Sequence, residues 1–240
     1  MQKRLLLVCI LLMFVGSSGC TRPINRAAER RIRDVLPTVI GLSKRYDVHV
    51  DNPPERTIAG KLAAVTITGE DVHFKNGLIV DNLNLVLSGV EVDTGTKRLK
   101  KIRRTEFTIS VSEPNVNEYL VDEVMDGETL RNIRVKFYDN VVTISGQRVV
   151  LGIGVPFEIT GPLKIAGPTL LELDASRLKI IGLPFKGKIL DFLKHRMDTV
   201  ADLSGFAFPM LLAEVRITPG RLILTGTANP MPLLDTRPLW

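Results

Sequence analysis

Apolar and polar positions follow three successive rhythms along this chain. Leu5 to Val15 is an unbroken apolar run placed behind Lys3 and Arg4. From Ile24 onward, apolar residues recur at Ala28, Ile32, Val35, Leu36, Val39 and Leu42. That three-to-four spacing predicts an amphipathic helix reaching about Tyr46, with a kink or break at Pro37. Asp51-Asn52-Pro53-Pro54 closes the segment with turn residues. After Glu55 the period drops to two. Leu83, Leu85 and Leu87 alternate with polar or smaller neighbours, as do Phe107, Ile109 and Val111, and then Ile133, Val135 and Phe137. Asp139-Asn140 leads straight into Val141 to Ile144, which predicts a hairpin. Leu151, Ile153, Val155, Phe157 and Ile159 mark one face of a long strand. Further strands are expected near residues 163–165, 170–175, 178–181, 215–218 and 222–225. Short helices are expected from Glu113 through Val124 and from Phe185 to Met197.

Strands that follow one another through turns, with helices only as interruptions, predict an antiparallel α+β fold rather than a parallel one. The divisions expected are residues 1–19, 20–56, 57–228 and an extended tail, 229–240.

Composition narrows the function classes. The 240 residues are 45% hydrophobic and 24% charged, which fits neither a multi-span membrane protein nor a disordered chain. Two cysteines cannot build a disulfide framework or a zinc ribbon. The run from Leu5 to Val15 is shorter than the ~20 residues a membrane-spanning helix needs. It reads as the apolar region of an export signal.

Ser18-Gly19-Cys20 after that run resembles the lipobox of bacterial lipoproteins, although Ser17 stands where leucine is usual. The resemblance implies cleavage before Cys20 and lipidation of its sulfur, with the new amino group usually acylated too. An ordinary export signal with an incidental cysteine is the alternative. Two or more acyl chains anchor a protein firmly where one does not. The mature chain would then face the extracytoplasmic side of a bacterial envelope membrane. Thr21 after the cysteine resembles the outer-membrane sorting class.

A formal charge of +6 would ordinarily raise nucleic acid as a partner. Export argues against it, and no nucleic-acid motif is present. Two basic clusters remain: Arg22, Arg26, Arg30, Arg31 and Arg33, and then Lys97, Arg98, Lys100, Lys101, Arg103 and Arg104. Near an anionic bilayer each such charge is worth about 1 kcal/mol. A plain solvated surface would read the same way.

Signatures of catalysis are missing. There is no G-x-S-x-G elbow and no H-E-x-x-H, and His49, His73 and His195 have no helical pairing. Gly152-Ile-Gly154 begins like a dinucleotide loop, but Phe157 replaces the third glycine. Gly182 to Lys188 has phosphate-loop spacing, but Ile189 stands where a hydroxyl should hold magnesium. No cofactor or metal is expected, and no enzyme.

Several segments resemble, in order, the LmeA-like phospholipid-binding family of bacterial envelope proteins. They include Ile67-Thr-Gly69-Glu-Asp-Val72, the run Leu83 to Asp93, Val111 to Leu120, Val155 to Gly161, Leu183-Pro-Phe185 and Ile217 to Gly226. The resemblance implies a curved antiparallel sheet wrapped around one or more helices, with an apolar cavity for acyl chains. A phospholipid or similar amphiphile would be the partner. On that reading Leu151, Ile153, Val155, Phe157, Ile159, Phe185, Ile189, Phe192, Leu193, Phe206 and Phe208 are candidates for the cavity wall. The cluster Lys97 to Arg104 is the candidate for headgroup or membrane-surface contact, and Cys20 for the anchor. The same apolar stripes would also fill a solid core, as in a structural lipoprotein that binds a protein partner. A lipid hydrolase is the third alternative.

Overall fold

A computed structural model describes residues 21–95, 99–120, 130–150, 152–180, 199–203 and 210–228. Within these the protein is an α+β fold built mostly of antiparallel strands, with open sheets and an N-terminal helix.

Helix α1 covers Thr21–Val39, shorter than the periodicity predicts. Pro37 sits in its last turn, where it forfeits one backbone bond. The segment expected to continue the helix to Tyr46 is instead strand β1, Gly41–Asp51. Tyr46, Val48 and Val50 point inward there while Asp47, His49 and Asp51 stay exposed, a period of two that outcompetes the helical one. Gly41 permits the corner. Its φ is +149°, and a Cβ at this position would collide with the His73 carbonyl.

Helix α2 (Pro54–Ile58) leads to strands β2 (Lys61–Phe74), β3 (Ile79–Val92), β4 (Leu99–Lys101) and β5 (Arg104–Ser112). Helix α3 (Glu113–Tyr119) follows, the part of the expected 113–124 helix that lies in the described residues. Strands β6 (Leu130–Tyr138), β7 (Val141–Val150) and β8 (Ile153–Gly161) come next. Then come β9 (Leu163–Ile165), β10 (Leu170–Leu173), β11 (Arg177–Ile180), β12 (Thr199–Asp202), β13 (Met210–Thr218) and β14 (Arg221–Ala228). The helix expected at Phe185–Met197 lies outside the described residues.

The main sheet runs β1-β2-β3-β5-β14-β13, with β4 also paired to β3. Its register aligns apolar residues in rows across the strands. Val48, Ile67, Leu85, Phe107, Gly226 and Leu212 are successive partners. So are Tyr46, Gly69, Leu83, Ile109, Leu224 and Val215. Gly69 leaves room for the Tyr46 ring, which a Cβ there would approach to 2.9 Å. Between these rows, the opposite face carries Asp47, Thr68, Asn84, Thr108 and Thr225. One face is therefore aliphatic and the other polar, the pattern of a sheet covered on one side only.

A second sheet, β11-β8-β7-β6, has its own core of Val135, Phe137, Val142, Ile144, Val155, Phe157 and Ile159, completed by Leu173 and Ile217. Polar groups dock it on the first. Asn117 of α3 donates to the Val135 carbonyl (2.9 Å) and accepts from its N–H (2.7 Å). Glu113 accepts from the Phe137 N–H at 2.5 Å.

Tyr46 tests the integrity of the inner face. Its hydroxyl donates to the Gly41 carbonyl at 2.9 Å, and burial pushes its pKa up to about 12. An unfolded tyrosine titrates near 10, so the unfolded chain loses that proton first. Stability should fall as pH rises from about 10 toward 12. Tyr46→Phe should remove that alkaline slope while costing about 1 kcal/mol at neutral pH, both read from urea unfolding across pH.

Candidate functional site

Beneath α1 lies an apolar cavity of about 530 Å³. One wall is the helix. Ile24, Ala27, Ala28, Ile32, Val35, Leu36 and Val39 form a single inward stripe along it. The facing wall is the aliphatic side of the main sheet: Leu62, Val65 and Ile67 from β2, Leu85, Leu87, Val90 and Val92 from β3, then Leu99 and Ile102. Polar groups in the lining are sparse, namely Thr57, Thr94, Thr105 and Arg31.

Polar contacts hold α1 at its first half. Asn25 donates to the Asn52 carbonyl at 2.8 Å and accepts from the Thr57 hydroxyl at 2.8 Å. Glu29 accepts from the Val50 N–H at 3.0 Å, and the same oxygen lies 3.6 Å from His49 Nδ1. Asn52, itself buried, donates to the Lys61 carbonyl and accepts from the Ala63 N–H, so the site that receives Asn25 is fixed by β2. At the other end, Leu36 and Ile40 are buried in the core. These contacts fix the helix at the β1 edge, and the cavity lies between it and the middle strands.

The register places the cavity mouth. Asp51 of β1 pairs with Ala64, Lys61 with Glu91, and Glu91 with Lys101. The end of β1, the start of β2, the end of β3 and β4 therefore share one end of the sheet. Thr57, Ile58, Gly60, Thr94, Leu99 and Ile102 line the cavity there, as do Pro23 and Ile24 from the first turns of α1. The first turns of α1 are thus at the mouth.

The predicted headgroup cluster falls at the same end. Lys100 bonds Asp93 at 2.8 Å, and that hydrogen bond, with the Asp93 charge, raises its pKa. Arg104 pairs with Glu106 at 2.5 Å. Lys101 and Arg103 are exposed with no carboxylate partner among the described residues. Lys97 and Arg98 lie outside the described residues.

The predicted cavity wall is placed differently. Val155, Phe157 and Ile159 are buried, but in the core of the second sheet, and none of them lines this cavity. Ile153 shares their face yet runs past the core and is 69% exposed. Leu151, Phe185, Ile189, Phe192, Leu193, Phe206 and Phe208 lie outside the described residues, as does Cys20. Of the walls that do line the cavity, the sequence showed the amphipathic helix and the alternating strand around Leu83 to Leu87, while β2 with Leu62, Val65 and Ile67 was not read as a strand. Ala28 stood in the predicted helical stripe, but the small size of the Ala27-Ala28 pair was the missed signal. Two small residues in the middle of a stripe of large ones keep the helix face from filling the space before it.

Among the described residues, no three His, Cys, Asp or Glu side chains are grouped to hold a metal ion. No described helix is long and apolar enough to cross a membrane.

Thr105 is the polar exception in the wall. It is 4% exposed, and its hydroxyl has no hydrogen-bond partner. A buried unpaired hydroxyl costs about 1–3 kcal/mol. Thr105→Val should therefore stabilise the lipid-free protein by about 1 kcal/mol or more, seen as a higher urea midpoint with an unchanged slope.

No curated protein and no solved structure matches the chain. A family model described as LmeA-like phospholipid-binding matches residues 20–227 of the 240. An aliphatic cavity with few polar groups is what an acyl chain requires, and the chain belongs to the LmeA-like phospholipid-binding family.

Proposed function

We propose that this protein is a non-enzymatic envelope lipoprotein that takes the acyl chains of a phospholipid or similar amphiphile into the cavity between α1 and the main sheet. The cavity itself carries the reading. At about 530 Å³ it lies within the roughly 300–1,000 Å³ common for small-ligand sites. Its walls are almost wholly aliphatic, so each CH₂ brought in from water contributes about 0.8 kcal/mol. A hydrolase needs a nucleophile or an activated water beside its substrate; among the described residues of the lining, the polar ones, Thr57, Thr94, Thr105 and Arg31, include no acid or imidazole to activate either.

The headgroup stays at the mouth in this reading, near Lys100, Lys101, Arg103 and Arg104, with Lys97 and Arg98 in the same connection. Lipidated Cys20 holds the chain on the extracytoplasmic side of a membrane. The arrangement is economical: α1 begins at Thr21, so an anchor on Cys20 would keep the mouth near the bilayer surface. Curvature of the sheet around the helix belongs to the same reading. The stripe Phe185, Ile189, Phe192 and Leu193, with Phe206 and Phe208, is retained as a second candidate wall.

Filling the cavity separates a hollow binder from a solid structural lipoprotein. A phenylalanine forced into a packed core costs about 1–3 kcal/mol. Ala28→Phe should instead leave stability within about 1 kcal/mol of the parent and abolish co-purified lipid in native mass spectrometry. A parent protein that carries no lipid and exchanges none between vesicles would sink the binding reading.

The anchor has its own test. Cys20→Ser should release the protein from washed membranes, and the mass of the parent's N-terminal peptide should show acyl chains. Continued sedimentation of the variant would contradict the lipobox.

A further inference from the structure

The mouth of the cavity carries an apolar side chain that packing does not explain. Ile58, at the end of α2, lines the cavity and yet is 65% exposed. Soluble proteins expose single aliphatic residues often. Here the residue sits on the rim of the opening, and Leu99 and Ile102 stand half-buried on the same rim.

Charge surrounds it. Arg56 and Lys61 flank Ile58 in sequence and are exposed, and Lys101 and Arg103 rise from the strand side of the mouth. None of these four has a carboxylate partner among the described residues. Asp51 and Glu55 are exposed carboxylates at this end, and half-buried Glu91 is the cross-strand neighbour of both Lys61 and Lys101; together they offset part of the charge. An exposed apolar side chain at an end of the fold that carries four exposed cations is complementary to one kind of surface: acyl chains below anionic headgroups.

We propose that this rim docks directly on an anionic bilayer. Ile58 enters the headgroup–acyl boundary, Arg56, Lys61, Lys101 and Arg103 meet lipid phosphates, and the cavity opens toward the membrane interior. The inference rests on the cavity reading and adds to it the path of the lipid. An acyl chain would slide between bilayer and cavity past Ile58, Leu99 and Ile102 without crossing water. The rim acts independently of the Cys20 anchor, which supplies proximity but not orientation.

The test uses the chain from residue 20 onward carrying Cys20→Ser, so that no acyl anchor contributes. Co-sedimentation with phosphatidylglycerol-containing vesicles is compared with pure phosphatidylcholine vesicles. The parent should bind the anionic vesicles at least tenfold more tightly. Ile58→Asp should lower that binding about tenfold, and Lys101→Gln with Arg103→Gln should remove most of the anionic preference. Both variants alter exposed side chains and should keep the parent's melting temperature. The parent should also take up a monomeric short-chain phospholipid in native mass spectrometry, which reads the cavity without a bilayer. Variants that sediment like the parent would overturn the rim, as would equal binding to both vesicle types. A parent that binds the short-chain lipid but no vesicle refutes the rim and leaves the cavity standing. A parent that binds vesicles but never the short-chain lipid refutes the cavity instead.

Discussion

The structure turns on a mismatch of widths. The main sheet aligns aliphatic residues across six strands, and at about 4.8 Å per strand this makes an apolar face roughly 25 Å wide. A helix with its side chains is only about 10–12 Å across. A single α1 can cover two or three strands, and its polar contacts hold it over the β1 edge. Leu171, Leu203 and Met210 belong to the same core cluster. What the helix does not reach becomes the cavity. Ala27 and Ala28 keep it open, because a larger pair would extend the helix wall into the space.

Polar groups decide where the helix sits, and apolar groups decide what lies beneath it. Asn25, Glu29 and Asn52 pair backbone groups at the end of β1 that would otherwise be left without partners, and each bond has a defined geometry. Hydrophobic burial has no such direction and would have let the helix slide toward the sheet centre. The same fixing brings the first turn of α1, the exposed Ile58 and the basic β3–β4 strand end to one edge of the molecule. The cavity, the basic strand end and the start of α1 are neighbours for that reason, not because they are close in sequence.

Alternation at Leu83 to Leu87, Phe107 to Val111 and Leu222 to Leu224 named strands correctly, since a half-buried strand must repeat every two residues. The stretch Gly41 to Tyr46 was harder. Leu42 continued a helical stripe while Tyr46, Val48 and Val50 began a strand, and only pairing with β2 resolved the competition. The face Val155, Phe157 and Ile159 was legible as buried but not as closely packed, because period records which way a side chain points and nothing about what it meets. Its partners, Val135, Phe137 and Ile144, come from strands 15 to 20 or so residues earlier, brought there by hairpin register.

By itself, then, the sequence determined the antiparallel α+β class, the leading helix, the aliphatic character of one sheet face and the absence of familiar catalytic motifs. These are local properties, set by side-chain type and spacing. Tertiary structure decided which apolar face stays hollow. A cavity is space left over between elements far apart in the chain, and no residue encodes it alone. The gap beneath α1 exists because a helix fixed at one edge is too narrow for the sheet it covers.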